Sequence, residues 1–130
     1  MKTIILLCLT ASMVGAETWH TNWSAAQAEY KRTGKPILMN FTGSNWCGWC
    51  VKLKKEVFST PEFASWANKK VVLMELDYPR PNKQAADIQK QNDELRDKYN
   101  IQGYPSILFV NAKGEVLGDY GYDEGGPKVW

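Results

Sequence analysis

The chain has 130 residues and a formal net charge of +2, from 16 Lys and Arg against 14 Asp and Glu. This length predicts one domain, and 44% hydrophobic with 23% charged residues excludes collagen, coiled coil and extensive disorder. The near-neutral charge and the lack of a long basic run predict that the protein does not bind nucleic acid. Three cysteines are too few for a disulfide-dense scaffold.

The first 16 residues have the pattern of a signal peptide. Lys2 precedes an apolar run over residues 3–14, and the small residue Ala16 follows. The run is shorter than the about 20 residues that span a membrane; an uncleaved anchor or a buried first helix is the alternative. We expect cleavage after Ala16, loss of Cys8 with the signal, a mature domain over residues 17–130, and a periplasmic or otherwise exported location.

Helical and strand patterns alternate in the first half of the mature chain. Trp23 and Ala26 lie at helical spacing, and Gly34 is positioned to end that helix. Residues 36–42 form a short apolar run that is typical of a buried strand. After a turn, the helical period resumes at Trp46.

The second half continues this alternation. Residues 60–62 combine a capping Thr, a Pro and an acid, which predicts another helix start. Residues 71–76 form a second buried strand, residues 85–99 a long amphipathic helix, and residues 106–110 and 115–120 a closing hairpin. Strands that alternate with helices predict a parallel pair with a right-handed crossover, and the hairpin adds an antiparallel edge. The predicted fold class is therefore α/β.

The motif that carries chemistry is Cys-Gly-Trp-Cys at residues 47–50. It follows a buried strand and opens a helix, where unpaired N–H groups and the helix dipole favour a thiolate at Cys47. Cys50 follows one turn later, near enough to attack a mixed disulfide formed by Cys47. In such motifs the pKa of a cysteine falls from about 8.5 to roughly 3.5–7.5. The spacing therefore predicts thiol–disulfide exchange, with Trp46 and Trp49 as an aromatic surround.

Three other interpretations of the two cysteines stay open. A zinc site needs four ligands, and the other good ligand of the mature chain, His20, is distant in sequence. A structural disulfide would close a very small loop and restrict the unfolded chain little. A non-enzymatic dithiol metallochaperone or binding module would hold a soft ion such as Cu(I), but the nearest Met, Met39, lies in a predicted buried strand.

The strand, the Asn-Trp-Cys-Gly-Trp-Cys segment at residues 45–50 and the Tyr-Pro-Ser segment at residues 104–106 together resemble the thioredoxin superfamily. The resemblance is greatest to exported bacterial thioredoxin-like disulfide oxidoreductases, including the DsbH type, and runs from about residue 19 to residue 126. It implies a central mixed sheet of four to five strands flanked by helices. The family's C-terminal helix would begin near residues 126–127. Because the chain stops at Trp130, we expect that this helix is truncated or that one face of the sheet is thinly covered.

The resemblance also implies roles for individual residues. Cys47 would be the attacking thiolate and Cys50 the resolving thiol, with Pro105 as a cis-proline beside them. We expect substrate contacts at Trp46, Trp49, Tyr104 and Pro105, no metal, and no cofactor beyond a redox-active Cys47–Cys50 disulfide. Expected partners are exported protein thiols and disulfides and a redox partner protein, which is soluble or membrane-bound, and the chain itself is expected to be a monomer.

The sequence departs from the thioredoxin pattern next to the motif. Asn40 occupies the place of a buried Asp, and Leu73 that of the Lys that often faces it. Proton handling at Cys50 therefore need not follow thioredoxin's carboxylate route. The direction of exchange stays open between reductase, isomerase and oxidase, because related sites span about 150 mV, or about 7 kcal/mol for two electrons.

Overall fold

The computed structural model describes residues 18–122 and residue 126. The predicted signal peptide with Cys8, and the expected C-terminal helix apart from Gly126, lie outside the described residues. No helix among residues 18–122 is long and apolar enough to cross a membrane.

A five-stranded mixed sheet forms the centre of the domain, as predicted. Its spatial order is β1-β3-β2-β4-β5; β1, β3 and β2 run parallel, and β4 and β5 are antiparallel to their neighbours. The strands are β1 Trp19–His20, β2 Ile37–Thr42, β3 Val72–Asp77, β4 Ser106–Val110 and β5 Val116–Tyr120. The short β1 adds the fifth strand in a segment that the sequence left unassigned.

Four α-helices flank the sheet: α1 Trp23–Thr33, α2 Gly48–Leu53, α3 Pro61–Lys70 and α4 Ala86–Lys98. Asn22 caps α1 by accepting from the Ala25 N–H, and Gly34 ends it with a φ of 71°. Thr60 caps α3 ahead of Pro61. The single helix predicted from Trp46 begins at Gly48 and changes into a π-helical segment, Lys54–Phe58. It begins there because Cys47 has an extended backbone and acts as the cap.

All six residues of β2 are buried, and their alternation divides the core in two. Ile37, Met39 and Phe41 belong to one apolar cluster, together with residues of α1 and α4. Leu38 belongs to the other, which includes Leu53 of α2 and residues of α3. The alternation places Asn40 on the same face as Leu38, under the helix that carries the cysteines.

Candidate active site

Cys47 and Cys50 form a disulfide at the start of α2, with Cα atoms 5.2 Å apart. Cys47 is the N-cap residue, and its Sγ accepts a hydrogen bond from the Cys50 N–H at 3.3 Å. In the reduced protein a sulfur in this position is favoured as the thiolate, because an N–H group and the helix dipole both point toward it. The geometry therefore gives the Cys47 sulfur an N–H donor at the start of the helix.

Burial does not distinguish the two sulfurs. Cys50 is 5% exposed, as expected for a residue on the face of Leu53 and Val57, but Cys47 is only 7% exposed. Solvent has little access to Cys47 in the disulfide form. The physical reason is the loop before β4, where the carbonyl oxygen of Tyr104 lies 3.6 Å from Cys47 Sγ.

The Tyr104–Pro105 peptide bond in this loop is cis. This agrees with the arrangement that the resemblance implied, a cis-proline adjacent to the first cysteine. The Tyr104 ring packs edge-on against Trp46, with centroids 5.7 Å apart, and against Tyr78 at 5.2 Å. The loop is therefore held to the cysteine segment by aromatic contacts as well as by the backbone.

The two tryptophans of the motif have different surroundings. Trp46 is half-buried, donates from Nε1 to the Tyr78 carbonyl at 2.7 Å, and lies under the Arg80 guanidinium at 3.6 Å from its ring centroid. Trp49 is 57% exposed and contacts Tyr122 and the Lys52 ammonium at its ring. Trp49 is thus the large aromatic surface that remains open beside the disulfide.

An open cavity of about 520 Å³ lies behind Cys50, between the sheet and the α2–α3 region. Its polar lining includes Asn40 and Thr42 of β2, Glu75 of β3 and Lys54 of the π-helical segment. Asn40 is 6% exposed, and its Oδ1 has no hydrogen-bond partner among the described residues. The structure therefore places Asn40 and Cys50 on the wall of one cavity.

Glu75 lies beside Asn40, its partner in the β2–β3 register. Burial raises the pKa of the Glu75 carboxyl; the neighbouring Asp77 carboxylate also raises it, and the Lys54 ammonium lowers it. The prediction that Leu73 takes the place opposite Asn40 is wrong, because the register pairs Asn40 with Glu75 and Leu73 with Leu38. Leu73 is buried in the apolar cluster on this face. A carboxyl group is therefore present near Cys50, but it comes from β3 rather than β2.

Comparison with known proteins identifies the family. The family model described as a thioredoxin-like domain matches residues 23–124. The chain belongs to the thioredoxin-like family.

Two similar proteins come from Chlamydia pneumoniae. The disulfide bond reductase DsbH is 32% identical over 117 residues, 90% of this chain and 70% of DsbH. The thioredoxin-related protein DsbJ is 34% identical over 110 residues, 82% of this chain, which spans only 32% of DsbJ. A solved structure titled DsbH oxidoreductase superimposes with a TM-score of 0.83 at 31% identity, covering 88% of this chain and 79% of that one. With the Cys47–Cys50 disulfide, these similarities establish a thioredoxin-like thiol–disulfide oxidoreductase, which confirms the predicted activity.

Sequence reasoning missed the loop after β3 as part of the site. Asn45 and Arg80 exchange two hydrogen bonds between the Asn45 amide and the Arg80 backbone, at 2.9 and 3.0 Å. Ser44 donates from its N–H and its hydroxyl to the Asp77 carboxylate. The sequence indicated only a loop with two prolines there. The Arg80–Pro81 bond is also cis, and no sequence signal pointed to that.

The residues considered for metal binding are not brought together. Met39 faces the apolar cluster on the opposite side of the sheet from Cys50, and His20 lies on the edge strand β1. Within the described part of the chain, no group of three or more His, Cys, Asp or Glu side chains could hold a metal ion. The placement of Met39 and His20 therefore gives the metallochaperone and zinc interpretations no support.

Proposed function

We propose that this thioredoxin-like chain reduces disulfides in exported proteins, with Cys47 as the attacking thiolate and Cys50 as the resolving thiol. The observation that carries the two roles is the hydrogen bond from the Cys50 N–H to Cys47 Sγ at the start of α2. The direction of the reaction rests on similarity to a protein named disulfide bond reductase, 32% identical over 90% of this chain.

The proposed reaction takes two exchange steps. The Cys47 thiolate attacks a substrate disulfide, so that a Cys47–substrate disulfide forms and one substrate sulfur leaves as a thiolate. The Cys50 thiolate then attacks Cys47 Sγ, which releases the second substrate sulfur and forms the Cys47–Cys50 disulfide. Two electrons have passed to the substrate, and a redox partner protein with a dithiol must return them.

Substrate contacts are proposed for the surface around Cys47. The Tyr104–Pro105 loop lies against the sulfur, so its backbone is placed to pair with an extended substrate segment by strand addition. The exposed Trp49 offers apolar contact on the other side of the disulfide. Trp46 is held under Arg80, and we propose that it acts mainly by fixing the loop before Cys47.

An exported location is proposed from the sequence of residues 1–16 alone. Export with cleavage after Ala16 would give a mature N-terminus at Glu17 and remove Cys8. Mass spectrometry of the exported protein measures this directly. A mature protein that retains residues 1–16 would contradict the location and leave the exchange chemistry untouched.

The redox potential of the Cys47–Cys50 couple tests the direction. Equilibration with glutathione, followed by mass spectrometry of alkylated thiols, gives the potential. A reductase is expected near the about −270 mV of thioredoxin, and a dedicated oxidant near about −120 mV. A value close to the oxidant limit would overturn the proposed direction.

A further inference from the structure

We propose that Glu75 accepts the proton of the Cys50 thiol when Cys50 resolves the mixed disulfide. This inference rests on the proposed role of Cys50 as the resolving thiol. It assigns a function to a β3 residue that the sequence pattern marks only as a polar interruption of a buried strand.

The cavity behind Cys50 is lined by few titratable side chains. Besides Cys50, the titratable side chains that line it are those of Glu75 and Lys54. The Lys54 ammonium group has hydrogen-bond donors and no acceptor atom. Cys50 is 5% exposed, so its proton must leave by way of this cavity or past the Cys47 side. Among the side chains that line the cavity, the Glu75 carboxylate is the one that can accept the Cys50 proton.

The register between strands β2 and β3 sets the direction of the Glu75 side chain. Glu75 pairs with Asn40 across β2 and β3, and neighbouring strands lie about 4.8 Å apart. Paired residues of parallel strands point to the same face, and Leu38 and Leu73 on that face pack in the cluster that includes Leu53 of α2. The fold therefore directs Glu75 toward the helix that carries Cys50.

The Oδ1 atom of Asn40 lies in the cavity wall and has no hydrogen-bond partner within residues 18–122. A buried polar atom without a hydrogen bond costs about 1–3 kcal/mol, so this position is poorly explained by stability alone. A protonated Glu75 has an O–H donor, and Asn40 Oδ1 is an acceptor on the adjacent strand. Asn40 can therefore stabilise the form of Glu75 that exists after proton transfer.

The charges that face Glu75 suit a group that both takes up and releases a proton. Asp77 on β3 favours the protonated form, and Lys54 on the π-helical segment favours the carboxylate. The cavity side chains from β2, α3 and β1, such as Asn40, Ala64 and Trp19, are neutral. Burial is the main cause that raises the pKa of the Glu75 carboxyl, and Asp77 adds to it.

Atoms and electrons are conserved in the complete step. The proton of the Cys50 thiol passes to Glu75, and the resulting thiolate attacks Cys47 Sγ. The Cys47–Cys50 bond forms, and the bond between Cys47 and the substrate sulfur breaks. The substrate leaves as a thiolate, which takes a proton from solvent, and Glu75 returns its proton to solvent through the open cavity.

Glu75→Gln tests this step, because the substitution keeps the shape of the side chain and removes its basicity. The reduced protein, in a Cys8→Ser background so that its two thiols are Cys47 and Cys50, is mixed with 5,5′-dithiobis(2-nitrobenzoate) in a stopped-flow instrument. One thionitrobenzoate is released when Cys47 attacks and a second when Cys50 resolves. We expect an unchanged first phase and a second phase slowed on the order of 10²-fold at pH 7, the usual size of a general-base effect. The deficit should shrink as the pH rises, because hydroxide then deprotonates Cys50.

Glu62→Gln is the matched control, since Glu62 is exposed in the first turn of α3 and does not line the cavity. Both of its phases should match the wild type. A Glu75→Gln protein with a wild-type second phase and pH profile would overturn the role of Glu75. A Cys50→Ser protein that still released two equivalents would instead overturn the proposed role of Cys50, so the two failures are distinguishable.

Glu75→Ala is a second variant, for the case in which the Glu75→Gln substitution perturbs strand β3. The cavity is open and large enough for a small carboxylate, so added acetate should restore the second phase in a concentration-dependent way and leave the first unchanged. A second phase that is slow in Glu75→Ala and does not respond to acetate would show that Glu75 acts only on packing, and the proposal would be wrong.

Discussion

At the scale of single residues, the difference between the two sulfurs comes from backbone position rather than from exposure. Cys47 and Cys50 are 7% and 5% exposed, a gap too small to decide which one attacks. The Cys47 sulfur, however, accepts the N–H of the first helical turn, and that bond strengthens when the sulfur is charged. We therefore expect the thiolate, and with it the nucleophile, at Cys47.

The first prediction follows from this asymmetry. Cys50→Ser should accumulate covalent complexes with exported proteins, because mixed disulfides form at Cys47 and cannot be resolved, whereas Cys47→Ser should not. Non-reducing gels with mass spectrometry of the captured partners measure both. Iodoacetamide at mildly acidic pH should label Cys47 well before Cys50 in the reduced protein. Trapping by Cys47→Ser instead would reverse the assigned roles.

A second prediction concerns Asn40, which is paired with Glu75 and lines the same cavity as Cys50. Asn40→Asp would put a second carboxyl group next to the first. Two carboxyl groups in contact titrate as a coupled pair, with apparent pKa values that belong to the pair. The pH–rate profile of resolution should therefore gain an ionisation that the wild type lacks. Asn40→Leu is the comparison variant, since it changes the same position without adding a titratable group, and an unchanged profile in Asn40→Asp would contradict the placement.

At the scale of elements, the loop before α2 is held by the loop after β3. Asn45 bonds to the backbone of Arg80, Trp46 bonds to the carbonyl of Tyr78, and Arg80 covers the Trp46 ring. Gly43 is necessary for this arrangement, because a Cβ at that residue would lie 2.4 Å from the Trp46 ring. The orientation of Cys47 thus depends on contacts between two loops that are more than 30 residues apart in the chain.

The third prediction tests this dependence. Gly43→Ala should displace the Trp46 ring and destabilise the protein by about 1–3 kcal/mol, the usual cost of overpacking. It should also slow the reaction of Cys47, because the loop that positions the cysteine shifts. Urea denaturation and the thionitrobenzoate first phase measure the two effects. Gly118→Ala on β5 is the control, since a Cβ there meets nothing within 4 Å; equal stability losses in the two variants would contradict the argument.

These contacts show where sequence reasoning succeeds and where it fails. The helix cap at Thr60, the buried strands and the position of Cys47 at a helix start follow from local patterns, and the structure confirms them. The low exposure of Cys47 depends on Tyr104, and the fixed position of the Trp46 ring depends on Arg80. Both partners are distant in sequence and carry no local signal. Glu75 looked like an interruption of a strand, because its importance arises only from its register with Asn40.

At the scale of the whole molecule, the topology brings the site together at one edge of the sheet. The carboxyl ends of the parallel strands β2 and β3 meet there, so the loops that follow them are neighbours. Strand β4 runs the other way and begins at the same edge, with Ser106 paired to Phe41. The cysteine loop, the loop after β3 and the Tyr104–Pro105 loop therefore converge, and the cavity behind Cys50 opens beneath them.

The last prediction concerns the stability of the oxidised domain as a function of pH. The pKa of Glu75 is raised in the folded protein, mainly by burial, so the folded state holds this proton more tightly than the unfolded state. Its contribution to stability is therefore fully present below the unfolded pKa and is lost as the pH rises through the folded pKa. Glu75→Gln has no such proton, and its stability relative to wild type should improve as the pH rises above about 4, near the ordinary pKa of Glu.

Urea denaturation of the oxidised protein at a series of pH values measures this difference, because the disulfide removes the two thiols from the titration. If the stability of Glu75→Gln stayed parallel to the wild type, the Glu75 carboxyl would have the same proton affinity in the folded and unfolded chains. The desolvation that raises the pKa of this carboxyl would then be absent, even if the cavity and the register were unchanged.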